Sequence, residues 1–223
     1  MAQAYIVEAL RTAGGKRKGA LAGTHPADLG AAVIDALVAR TGIDPAAVED
    51  VILGCVTQGG EQSFALARNV VLASRLPASV PAVTIDRQCG SSQQALQFAA
   101  QAVMSGTQDL VIAGGVESMT RVPMFSNLNL YLQAGLGEGP WPKSVQDRFG
   151  VSAFSQFHGA QAIADKYGFS REQMDAYSLA SHQKAAAAIA AGTFTREIVP
   201  VETLEGTFAQ DEGVRADGSL EAL

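Results

Sequence analysis

"TIDRQCGSSQQAL", residues 84–96, sets a cysteine and a glycine between a β-branched run and an alanine-rich stretch of helical period. A run such as "AVTID" (82–86) suits a strand buried on both faces, and residues 90–105, closed by Gly106, suit a helix. Cys89 therefore stands at a strand-to-helix turn, the unit from which parallel sheets are built. Reading outward finds the same alternation. "AYIVEAL" (4–10), "VILGCV" (51–56) and "LVIAGG" (110–115) are further short apolar runs, with helix-period segments at 26–40 and 63–75 among them. Pro26 near a first turn and Gly42 after the last delimit one helix, while Asp44 and Pro45 open a short extra turn. Strands and helices in this order predict right-handed crossovers and an α/β fold with a mostly parallel sheet over residues 1–117.

After Glu117 the composition changes. The stretch from Ser118 to Gly150 has weak periodicity with scattered prolines and glycines, so it reads as a long irregular excursion; such excursions serve as lids, binding loops or subunit contacts. Helical period returns at 153–167 and at 171–191, the latter opened by a capping box, Ser170 with Gln173, and ended by Gly192. "TREIVPVE" (195–202) reads as one further strand, and the polar residues after it complete no element. The expected division is a core at 1–117 and a loop domain at 118–223.

Composition bounds the function. With 223 residues, 48% hydrophobic and 17% charged, the chain is of ordinary globular type. A net charge of -6 offers no footprint for nucleic acid or an anionic membrane surface. No window reaches the roughly 18 apolar residues of a membrane helix, and the N-terminus, with Glu8 inside its apolar run, reads as a first strand and not as a signal peptide. Two cysteines, Cys55 and Cys89, outside any CxxC spacing, suggest neither a disulfide framework nor a metal site, and fit a reducing, cytoplasmic compartment.

At a helix N-terminus, unpaired N–H groups and the helix dipole favour a thiolate, the nucleophilic form of cysteine. Gly90, without a side chain, lets a substrate carbonyl approach the backbone, where N–H groups can hold an oxyanion. Taken alone, Cys89 is equally compatible with a small buried apolar residue. Cys55, inside an apolar run, reads as buried. "GGKRKG" (14–19) lacks the ending of a P-loop, and no GxGxxG opens a helix after a strand. Glu117 and Ser118 follow a buried strand and read as hydrogen-bonding groups that fix the adjacent loop, and His182 reads as a surface residue.

"DRQCGSSQQAL" resembles the nucleophile loop of the thiolase family. "RTAGGKRKGALAG" (11–23), "VILGCVTQGGEQSFALARNV" (51–70) and "LVIAGGVESMTRVP" (110–123) resemble further blocks of that family, and the likeness continues from Tyr167 to Val201. The resemblance implies one sheet of a layered α/β/α arrangement plus a loop domain, with Cys89 acylated by an acyl-CoA or 3-ketoacyl-CoA, and coenzyme A as substrate with no prosthetic group. His158 in "FSQFHGAQ" (154–161) falls where biosynthetic-type thiolases have a histidine close to the CoA thioester. It is followed by Gly159, where those enzymes have a methionine that shapes the acyl pocket, so the acyl preference is left open. Arg215 is similar in position to a family arginine that contacts the nucleotide part of CoA. Read without the resemblance, His158 is a satisfied helix histidine and Arg215 a solvated loop charge.

The family's remaining acid–base groups, a histidine and a second cysteine, and its asparagine-containing oxyanion motif lie in a C-terminal half. The resemblance therefore implies that this chain is an N-terminal portion, completed in cis or by a separate chain, and that alone it lacks turnover. The full reaction is thiolysis of a 3-ketoacyl-CoA or the reverse Claisen condensation, and the family implies a homodimer or tetramer. Two other readings stay open: another condensing enzyme of the thiolase superfamily, or a non-catalytic acyl-CoA-binding or assembly module.

Overall fold

Three of the four apolar runs in the first half come together as one parallel sheet. The computed structural model describes residues 3–222, which divide into two compact units: residues 3–127 with Thr195–Gly213, and Leu128–Phe194 with residues 214–222. In the first unit β1 is Arg11–Thr12, β2 is Asp50–Gly54, β3 is Ala82–Ile85 and β4 is Val111–Gly115. The sheet order is β3-β2-β4, with Leu53 opposite both Thr84 and Gly114 in the central register. The helices between the strands are α1 (Pro26–Thr41), α2 (Leu66–Ala73) and α3 (Ser91–Ser105).

The alternation of β2 decides which helix packs where. Val51 and Leu53 face a core built with Ile34 of α1 and Leu66, Val70 and Val71 of α2, whereas Ile52 faces Ala95 and Ala99 of α3. The result is an α/β/α layering with β2 buried in the middle. Sequence and structure agree on the caps of α1: Pro26 occupies the first turn and Gly42 closes the end in the left-handed region, with its N–H donating to the Val38 carbonyl. α2 starts later than periodicity suggests. Phe64 and Ala65 take positive φ, and the first turn is instead capped by a neighbouring strand, the Ala67 N–H donating to Thr84 Oγ1 at 2.9 Å.

Two expected strands are corrected. Residues 4–10 form no strand, and Tyr5, Ile6 and Val7 are exposed. A strand needs an edge to bond to, and here Ile6, Glu8, Ala9 and Leu10 line a cavity of about 1140 Å³ together with residues of β4, α1 and α3 instead of joining the sheet. "TREIVPVE" breaks into β5 (Ile198–Val199), parallel to β1, and β6 (Val201–Thr203), antiparallel to β7 (Gly206–Phe208). Pro200 stands at the break. It has no N–H to give a ladder, so the chain changes partners there.

Leading into the second unit, the irregular excursion carries two short helices, α4 (Ser126–Gln133) and α5 (Lys143–Phe149), which weak periodicity did not announce. They are followed by α6 (Gln156–Tyr167) and α7 (Arg171–Ala190). Phe154 meets Trp141 and Phe149 edge-on, with ring centroids 6.3 and 5.5 Å apart. Among the described residues, no helix is long and apolar enough to cross a membrane, and no group of His, Cys, Asp or Glu side chains could hold a metal ion.

Candidate active site

Between β3 and α3 the chain makes a turn closed on itself. Asp86 Oδ1 accepts from the Gln88 N–H at 2.7 Å, and Gln88 adopts the left-handed region at φ 48°. The Ser91 hydroxyl accepts from the Arg87 N–H at 2.9 Å and donates to the Gln88 carbonyl at 2.6 Å. Two further bonds, Gly90 N–H to the Arg87 carbonyl and Ser91 N–H to the Gln88 carbonyl, complete it. These two N–H groups are engaged inside the turn and are closed to an incoming oxygen.

Cys89 projects from this turn one residue ahead of the α3 N-cap, Gly90, and is exposed; Cys55 is buried. The two thiols thus separate by environment. Burial, with Glu117 and Asp86 adding negative charge nearby, pushes the Cys55 thiol up to about 12, which leaves it protonated and inert. Gly90 is not demanded by packing: a Cβ there would meet Arg87 O at 3.5 Å, an ordinary contact, and its φ of -94° is open to any residue.

Glu117 does what a carboxylate after a buried strand must. Its oxygens accept from the Val56 and Thr57 N–H groups at 3.2 and 3.0 Å. Beside it, buried Gln62 donates to the Thr57 carbonyl and accepts from the Ser118 N–H, so the loop after β2 is tied to the end of β4. Arg121 pairs with Glu61 through two nitrogens and holds its carboxyl below the usual range.

The remaining candidates belong to the second unit. His158 lies exposed in the first turn of α6, where its N–H meets Ser155 Oγ at 3.5 Å, and nothing lies within 4 Å of where a Gly159 Cβ would be. Arg215 is exposed, and its backbone N–H donates to His182 Nδ1 at 3.2 Å. His182 was expected to be a plain surface residue. It is half-buried and anchors the Arg215 turn, a long-range contact that leaves no mark in local sequence. Cys89 with Gly90, and His158 with Arg215, are therefore carried by different units.

A family model described as the thiolase N-terminal domain matches residues 4–223. The chain is 52% identical over 225 residues to a steroid 3-ketoacyl-CoA thiolase of Mycobacterium tuberculosis, which it covers to 55% while being wholly covered itself. It is 39% identical over 237 residues to a 3-ketoacyl-CoA thiolase of Bacillus subtilis, covering 58% of it. It is 38% identical over 237 residues to a β-ketoadipyl-CoA thiolase of Acinetobacter baylyi, covering 59% of it. The chain thus spans a little over half the length of these relatives.

Proposed function

This chain belongs to the thiolase family, and from that premise we propose that Cys89 is its acyl acceptor. The observation that carries the reading is the contrast between the two thiols: Cys89 exposed at the head of α3, Cys55 buried behind β2. The Cys89 sulfur attacks the 3-keto carbonyl of a 3-ketoacyl-CoA; the bond between the second and third acyl carbons breaks, and acetyl-CoA leaves once its enolate gains a proton. The acyl group remains on sulfur until a CoA thiolate attacks the thioester and Cys89 departs as thiolate. The reverse sequence is a Claisen condensation of two acyl-CoAs. We assign the Cys89 N–H as the oxyanion donor and Gly90 as the residue that leaves room for the carbonyl.

His158 and Arg215 are assigned to CoA binding, the first beside the thioester and the second at the nucleotide end. The groups that move protons are assigned to thiolase sequence outside these residues, in cis or on a separate chain, consistent with coverage of 55–59% in the relatives above. Coenzyme A is substrate and product, with no prosthetic group. A homodimer or tetramer in a reducing, cytoplasmic setting completes the proposal, supported by family membership and the pair of free thiols.

Incubation of the chain with acetyl-CoA, followed by intact-mass measurement and peptide mapping, tests it. The expected result is an acetyl adduct on Cys89 that vanishes in Cys89→Ala, with no multiple turnover until the complementary thiolase portion is added. CoA binding with every biochemical effect unchanged in Cys89→Ala, with that portion present, would overturn the assignment in favour of a binding module.

A further inference from the structure

The head of α3 sits in a notch that only glycines allow. Gly54 ends β2 and Gly115 ends β4, side by side in the parallel register. A Cβ on Gly54 would lie 2.5 Å from the Ser92 nitrogen and 2.6 Å from the Ser91 carbonyl carbon, both backbone atoms that cannot rotate away. A Cβ on Gly115 would lie 2.0 Å from Ser92 Oγ and 2.8 Å from the Gly54 carbonyl oxygen. Gly114, one residue earlier, is ordinary: its Cβ would meet Leu53 Cδ2 at 3.8 Å. Next to the notch, buried Ser91 clasps Arg87 and Gln88 through its hydroxyl, and this clasp closes the turn from which the exposed Cys89 projects.

We propose that Gly54 and Ser91 are positioning residues for Cys89, the glycine setting how deeply the first turn of α3 seats on the sheet and the serine holding the turn that aims the thiol. The inference rests on the assignment of Cys89 as acyl acceptor, but its geometry does not involve substrate. A Cβ at position 54 lifts the backbone of Ser91 and Ser92 away from β2. Cys89, two residues upstream, moves with it relative to the N–H groups and dipole at the helix head. Displacements of about 1 Å at reacting groups can cost on the order of a hundred-fold in rate.

The test is the rate of Cys89 alkylation by iodoacetamide as a function of pH, in the full chain carrying Gly54→Ala, Ser91→Ala or, as the matched control, Gly114→Ala, each checked by circular dichroism for retained fold. Gly54→Ala and Ser91→Ala are expected to change the rate about ten-fold or more and to alter its pH dependence, while Gly114→Ala leaves both unchanged. Should Gly54→Ala fail to fold, Ser91→Ala, which removes only the hydroxyl, carries the decision. Wild-type rates and pH dependence in a folded Gly54→Ala, or in Ser91→Ala, would overturn the proposal. Alkylation needs no acyl-CoA, so this experiment reads the seating and aim of the thiol separately from the acyl-transfer experiment that tests the functional assignment.

Discussion

Arg11 reaches Asp211 across the length of the chain with two nitrogens, at 2.7 and 3.1 Å, and Glu197 takes a third bond at 2.7 Å. The guanidinium, helped by the Gly14 N–H, holds the Asp211 carboxyl below the usual carboxylate range. Folding therefore favours the ionised acid. Its contribution is full above the ordinary carboxylate pKa near 4 and is lost as pH falls through the depressed folded value. Asp211→Asn is expected to cost about 1–2 kcal/mol at neutral pH, lowering the melting temperature by about 2–6 °C, with the gap to wild type closing as pH falls through and below the ordinary carboxylate range. Thermal melts of both proteins from pH 7 to 2.5 check this, and a gap that stays constant with pH would refute the linkage. Ion pairing of this kind is invisible in local sequence: "GGKRKG" advertised its own positive charges, whereas that same loop is held through its backbone by acids some two hundred positions later, Asp211 accepting from the Gly14 N–H and Glu212 from the Lys16 and Ala20 N–H groups.

Among elements, α7 shows how far local rules carry. Ser170 and Gln173 form the reciprocal cap their spacing predicts, the Gln173 N–H donating to Ser170 Oγ at 3.2 Å and the Ser170 N–H to Gln173 Oε1 at 2.9 Å. Ser170→Ala should cost this helix about 1 kcal/mol, read as faster amide exchange in its first turn with little change in β2. Caps of this sort, the ends of α1, and the β2, β3 and β4 runs were legible because each is written in contiguous residues. Cys89 was legible for the same reason: it sits where a β period changes to a helical one. What was hidden depends on partners distant in sequence. Residues 4–10 have strand composition but no bonded edge, α2 takes its cap from Thr84, and the notch under α3 is made by glycines of two strands.

For the molecule as a whole, burial is concentrated in the first unit. Leu66, Val51, Val70 and Val71 are fully enclosed between sheet and helices, while α4, α5 and α7 bury no residue among those described. Leu66→Ala is expected to destabilise the first unit by about 2–5 kcal/mol, measured by chemical denaturation. The core also contains its own gauge. Cys55, 1% exposed and with its thiol raised to about 12, can be modified only when the sheet region around it opens. Under conditions where each opening is followed by labelling in proportion to its population, Leu66→Ala should speed Cys55 modification about thirty-fold or more, and a Cys89→Ala background leaves Cys55 as the sole thiol to count. A residue without a part in the chemistry thus becomes a clock for breathing of the scaffold, timed by a reagent that otherwise reads only the surface.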